Sequence, residues 1–340
     1  MRHSVRISAL AAAVCAGVFA SFLFAADAGK FAVKKKTTLG GDGGWDYLTW
    51  DAAGKRLFIA RATRVMVVDA ATAKQIGEIA NTEGVHGIAL VPELGKGFTS
   101  NGRENTATVF DLKSLKEIMK IKTGNGPDAI VYDPASKRVF TMNGRGRDTT
   151  AIDAASNAVA GTVELGGKPE FAVADGRGTV FVNIEDKAEL VALDTKKLAV
   201  KNRWKMGKCE EPTGLALDAK NRRLFAGCSN KEMAIMDADS GKVIAELAIG
   251  DYVDATAFDD KLGLAFSSNG DGTLTVVREE NPNKFSVAQT VTTQRGARTM
   301  TLDAATHTIY TVTADFGPPQ PNGRPSVLPG TFVVLEISSQ

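Results

Sequence analysis

The sequence has few of the residues on which most redox and metal-centre chemistry depends. It holds 3 cysteines and 3 histidines in 340 residues. The cysteine spacing fits no zinc motif. No Cys-x-x-Cys-His run, Gly-rich phosphate loop or Ser-His-Asp constellation is present, which weighs against a cytochrome or a nucleotide enzyme. Neither sign of charge is in excess, with 41 Lys and Arg against 39 Asp and Glu. A chain so balanced has no field to draw in a polyanion, which argues against nucleic acid as a partner. After residue 30 there is no amphipathic helical pattern of useful length. Nor is there a second apolar run long enough to span a bilayer.

The N-terminus reads as a signal peptide. Arg2 and Arg6 supply a positive start, Ile7–Phe24 is apolar and Ala-rich, and Ala26-Asp27-Ala28 offers a small-x-small cleavage site. The expected organisation is a signal peptide over 1–28 and one domain over 29–340, in a periplasmic or secreted protein with no transmembrane segment after cleavage. Cleavage removes Cys15 and leaves Cys209 and Cys228, in a compartment where disulfides persist.

The strongest signal is an internal repeat. An Asp, a short polar turn and a β-run recur in Asp51-Ala-Ala-Gly-Lys-Arg-Leu-Phe, Asp133-Pro-Ala-Ser-Lys-Arg-Val-Phe and Asp218-Ala-Lys-Asn-Arg-Arg-Leu-Phe. The full set of anchors falls at 51, 91, 133, 175, 218, 259 and 303, with degraded copies at Val91 and Asp259. A second anchor, a β-run ending in Asp, keeps the same period at Asp69, Asp111, Asp153, Asp194 and Asp237. Each unit reads as four short strands, and four strands at a period near forty mark a propeller. The first strand of each unit alternates large and small residues, as in Leu215 and Leu217 against Gly214 and Ala216. Wedge-shaped blades need such a pair of faces. The expected fold is all-β: a seven-bladed β-propeller of four-stranded antiparallel blades. Phe31–Leu39 resembles a fourth strand and Thr331–Ile337 a third, so an N-terminal strand is expected to close the ring and remove its open edges.

The runs Arg138-Val-Phe-Thr-Met-Asn, Val180-Phe-Val-Asn and Ala265-Phe-Ser-Ser-Asn resemble the tyrosine-valine-threonine-asparagine (YVTN) repeat. So do the entry segments Gly126-Pro-Asp-Ala-Ile-Val-Tyr-Asp and Gly167-Lys-Pro-Glu-Phe-Ala-Val-Ala-Asp. Over residues 31–340 the chain is similar to the exported, YncE-like proteins of that family. The resemblance implies the propeller. It leaves function open among binding proteins, cell-surface proteins and lactonases. Copies two, six and seven depart from the repeat pattern.

Five residues before each anchor stand Asp46, His86, Asp128, Glu170, Thr213, Asp254 and Arg298. This position has no turn role, yet six of the seven residues can carry charge. It opens the innermost strand of each blade, so the seven are expected to meet at one mouth of the central channel as a ligand site. Asp46, His86, Asp128, Glu170 and Asp254 can ligate a divalent cation: oxygens suit Ca²⁺ or Mg²⁺, and His with carboxylates also suits Zn²⁺. Arg298 can hold a substrate carboxylate. Two functions stay open, with no catalytic residue assigned. One is a binding module for a small molecule, peptide or protein partner. The other is a lactonase-type hydrolase or isomerase, with a metal's help. A monomer is compatible with both. Arg103, Arg145 and Arg147 lie on loops of the same face, and the Pro-rich Asp315–Gly330 loop is either a lid over the mouth or an inert insertion. Cys209 lies just before the first strand of the fifth unit and Cys228 ends its second strand, which brings them to one face as a disulfide or as two buried thiols.

Overall fold

The computed structural model describes residues 29–319 and 325–339. The expected signal segment and the centre of the 315–330 loop lie outside the described residues. Seven four-stranded antiparallel sheets follow one another, six of them running from an innermost to an outermost strand in chain order. Blades 1 to 6 span Leu48–Ile79, Val85–Lys122, Pro127–Glu164, Pro169–Lys205, Pro212–Ala248 and Val253–Thr292. Blade 7 takes three strands from the C-terminal end, Met300–Asp303, Thr308–Thr313 and Val333–Ser339, and its outermost strand, Phe31–Thr38, from the N-terminal end. This is the ring closure expected from the repeat. Phe31 pairs with Ser339 and Thr38 with Val333. The Gln289 amide of blade 6 receives the Phe31 N–H at 2.9 Å and donates to the Phe31 carbonyl at 2.8 Å, tying the closing strand to a second blade.

The anchor residues fold as their chemistry requires. Asp133 Oδ2 accepts from the Ser136 amide at 3.1 Å, and Asp69 Oδ1 from the Thr72 amide at 2.8 Å, so each Asp closes its own turn. Where blade 2 has Val91 instead, a 3₁₀ turn over Pro92–Leu94 ends on Gly95, whose φ of 63° suits glycine.

The scarce aromatics are spent on the blade interfaces. Phe58, Phe98, Phe140, Phe181, Phe225, Phe266 and Tyr310 sit one to a blade in the second strands, and all are buried. Phe58 packs on Phe110 of blade 2 at 5.8 Å, and Phe225 stacks on Phe258 of blade 6 at 5.1 Å. Burying each such ring contributes roughly 1.5–3 kcal/mol. Cys209 and Cys228 form a disulfide at the start of blade 5. Cys228 ends its second strand, where blades 2, 3 and 6 carry the buried Asn101, Asn143 and Asn269. No helix among the described residues is long and apolar enough to cross a membrane.

Candidate functional site

The innermost strands bring the seven aligned residues to one end of the axis, and the local backbone displays them. In blade 3, Pro127 pairs with Asn143 and Ile130 with Thr141, so Asp128 falls in a register shift. The same irregularity brackets His86, Glu170, Thr213 and Asp254. Such a break in the ladder re-aims side chains that a regular strand would commit to a blade face. In blades 1 and 7, Asp46 and Arg298 precede the strand altogether. Hydroxyls from the preceding blade fix the same stretch of backbone. Ser100 Oγ donates to the Asp128 carbonyl, Thr299 Oγ1 to the Asp46 carbonyl at 2.9 Å, and Ser268 Oγ to the Arg298 carbonyl.

Three of the seven side chains come together. His86 Nδ1 lies 2.6 Å from Asp46 Oδ2 and 3.6 Å from Asp128 Oδ1. One ligand atom from each of Asp46, His86 and Asp128 falls within 4.8 Å of the others. The imidazole rests against Gly102, where a Cβ would lie 2.9 Å from Nε2. Glu170 and Asp254 stand outside this trio. Asp254 Oδ2 accepts from Arg298 Nε at 2.6 Å. Glu170 Oε2 lies 3.5 Å from Lys168 Nζ, and its Oε1 accepts from the Tyr47 hydroxyl at 3.4 Å. Thr213 is spent on structure, donating to the Val253 carbonyl at 2.8 Å.

Tyr47 gives the site a floor. It belongs to blade 1, yet its hydroxyl reaches Glu170 of blade 4 and its ring meets Phe171 edge-on at 5.2 Å. A side chain linking blades so far apart around the ring must cross the axis. Below it lies a small cavity of about 60 Å³ lined by Leu48, Ile88, Ala129, Ile130 and Met300. The result is a cup with a buried aromatic base and a charged wall.

The electrostatics follow from crowding acids with little water. Burial raises the pKa of Asp46, Asp128, Glu170 and Asp254, in each case with repulsion from other carboxylates adding to it. Asp128 rises to about 6, and Glu170 goes well above its ordinary value. Burial works against a charged His86, but the Asp46 hydrogen bond and the charges of Asp128, Asp46 and Glu170 outweigh it and lift the imidazole to about 9. The cup favours positive charge: a proton on His86 or, in its place, a cation on mixed nitrogen and oxygen donors.

Two participants escape a repeat-based reading. Lys168 lies two residues before Glu170, bonds the Glu185 carboxylate and faces the acids from blade 4. Tyr47 neighbours Asp46 in sequence and reads there as ordinary core packing. Only its three-blade reach distinguishes it. Other residues singled out in the sequence serve the scaffold. Arg145 Nε donates to Asn125 Oδ1 at 3.0 Å, Arg147 pairs with Asp186 at 3.0 Å, and Arg103 is exposed. Trp45 lies against Phe332 at 5.4 Å and Phe316 at 6.0 Å, which packs the first residues of the 315–330 loop against the seam of blades 7 and 1.

Fold and site together define a seven-bladed β-propeller with a polar axial cup. No family model matches the chain, and no curated protein sequence does so either. Among solved structures it is similar to U3-55K, with a TM-score of 0.73, 8% identity and coverage of 88% of this chain and 98% of that one. It is also similar to the WD40 repeats of RRP9, with a TM-score of 0.75, 8% identity and coverage of 90% and 98%. At that identity the likeness concerns fold alone.

Proposed function

We propose that the protein is an exported binding propeller of the YVTN-repeat, YncE-like kind. Its axial cup captures a small anionic ligand through a divalent cation on Asp46, His86 and Asp128. The convergence of one nitrogen and two carboxylate oxygens from three successive blades carries this reading. The mixed donor set suits Zn²⁺ or Mn²⁺ better than Ca²⁺, which takes six to eight oxygens. The Nε of Arg298 is held by Asp254, and its terminal N–H groups, which have no hydrogen-bond partner among the described residues, can take a second anionic contact. Titration calorimetry of the metal-stripped protein with Mn²⁺ and Zn²⁺ tests the reading. One saturable site, lost in Asp128→Asn, is expected. No binding by the stripped protein overturns it.

The lactonase-type reading is favoured by one observation. Asp46 orients the His86 imidazole beside Glu170, whose burial keeps it protonated at higher pH than a free carboxyl. With His86 itself lifted to about 9, the cup holds two proton donors, the groups that general-acid catalysis requires. Metal-dependent opening of simple lactones, abolished in His86→Ala, supports this reading. Its absence in the metal-loaded protein leaves the binding role alone.

A further inference from the structure

The rim of the cup holds a residue that the fold does not ask for. Two positions before the cup residue, blades 2, 3 and 7 carry Gly84, Gly126 and Gly296, with φ of 69°, 66° and 82°. That left-handed backbone suits glycine. Blade 6 makes the same turn with Tyr252, at φ 58°. A bulky residue in this conformation is strained, and such strain gathers where side chains serve ligands.

No contact of the side chain offsets the strain. Tyr252 is 71% exposed, and its hydroxyl makes no hydrogen bond among the described residues. It is the one exposed residue of the chain's 4 tyrosines. Its backbone does hold the turn: the amide donates to Asp251 Oδ1 at 2.9 Å, and the carbonyl accepts from the Gly270 amide at 3.0 Å. A glycine could make both bonds.

Its surroundings connect it to the cup. A Cβ on Gly270 would lie 2.9 Å from Tyr252 Cβ and 3.7 Å from Arg298 Cβ, so both residues border a glycine that fills none of the space beside them. Burial works against the Arg298 charge, but the carboxylates of Asp254 and Asp46 outweigh it, and Asp46 belongs to the trio. The other charges beside Tyr252, Lys231 and Asp251, pair with each other at 3.0 Å.

Resting on the cup as a metal-assisted anion site, we propose that its ligand is a carboxylate carried on an aromatic ring. The carboxylate goes to the metal and to the free N–H groups of Arg298. The ring lies against Tyr252, offset or edge-on as aromatic pairs prefer. An aliphatic carboxylate shares the first contact and lacks the second.

The test is calorimetry of the Mn²⁺-loaded protein with benzoate and with acetate, which carry the same charge. Benzoate is expected to bind roughly fivefold more tightly. Tyr252→Gly brings benzoate down to the affinity of acetate, Tyr252→Phe keeps the preference, and neither changes acetate binding. The melting temperature of metal-free Tyr252→Gly stays at or above that of the wild type, because strain is removed and no packing is lost. Equal affinities for benzoate and acetate in the wild type, or a preference that survives Tyr252→Gly, overturn the proposal and leave the metal site standing. A fall of several degrees in Tyr252→Gly also overturns it, since the ring then belongs to the fold. Failure of the stripped wild type to bind Mn²⁺ overturns the metal site itself, and this proposal with it.

Discussion

His86 Nδ1 sits 2.6 Å from Asp46 Oδ2, and the far edge of the same imidazole lies over Gly102. The ring is thus held between a carboxylate of blade 1 and a glycine of its own blade. Gly102→Ala would set a methyl group 2.9 Å from Nε2 and 3.1 Å from the Pro127 carbonyl, so the imidazole must move. The expected outcome is a roughly tenfold loss of Mn²⁺ affinity by calorimetry with the far-ultraviolet circular dichroism unchanged, the usual scale for a residue that orients a ligand.

Tyr47→Phe and Tyr47→Ala separate the two roles of the cup floor. The hydroxyl contact with Glu170 is long, at 3.4 Å, so Tyr47→Phe costs about 1 kcal/mol or less in urea unfolding. Tyr47→Ala removes a ring that is 7% exposed and spans the axis, and it costs about 3–5 kcal/mol. Equal effects from the two variants would mean that the floor is held by the hydroxyl, contrary to the packing described above.

The period of the sequence shows the blades, their turns, the closing strand and the placement of Cys209 near Cys228, because each of these follows from local chemistry repeated at fixed intervals. The period also marks the position holding Asp46, His86 and Asp128. It does not tell which of the seven residues converge, since that depends on side-chain reach and on competing partners. Asp254 is drawn to Arg298, Glu170 to Lys168 and Tyr47, and Thr213 to a backbone carbonyl. The register shifts that expose these side chains leave no compositional mark, because the extra residue is defined only against its partner strand.

The disulfide closes a loop of sequence separation 19 within one blade. On loop-closure entropy it stabilises the fold by roughly 3 kcal/mol. Cys209→Ser/Cys228→Ser should lower the melting temperature by several degrees in calorimetry and leave Mn²⁺ binding at the cup intact. An unchanged melting temperature would show that blade 5 does not depend on the bond.

Glu279, on the face opposite the cup, supplies a pH signature. Burial first, and then the nearby charge of Asp218, raise its carboxyl to about 7, against a hydrogen bond from Asn221 that lowers it. The folded pKa exceeds the unfolded one. The stabilising effect is therefore complete below about pH 4.5 and is lost as pH rises through about 7. Glu279→Gln keeps an acceptor for Asn221 and removes the ionisation. The variant should gain roughly 1 kcal/mol over the wild type at pH 8, after allowance for solvent screening, and nothing at pH 4. Urea midpoints across that interval measure the difference, and parallel profiles for the two proteins would refute it.

The pairing of Phe31–Thr38 with Val333–Ser339 also sets the order of events in folding. The first described strand has its partner in the last described one. Blades 1 to 6 can form one after another from local contacts, but the seam between blade 7 and blade 1 has to wait for the whole chain. Until then two edges stand open and the Tyr47 floor has one wall fewer to meet. A chain that stops short of Val333 keeps its closing strand but leaves it without a partner, so the ring stays open. Arg298, the part of the cup wall that blade 7 supplies, joins the trio of blades 1 to 3 only when the ring closes.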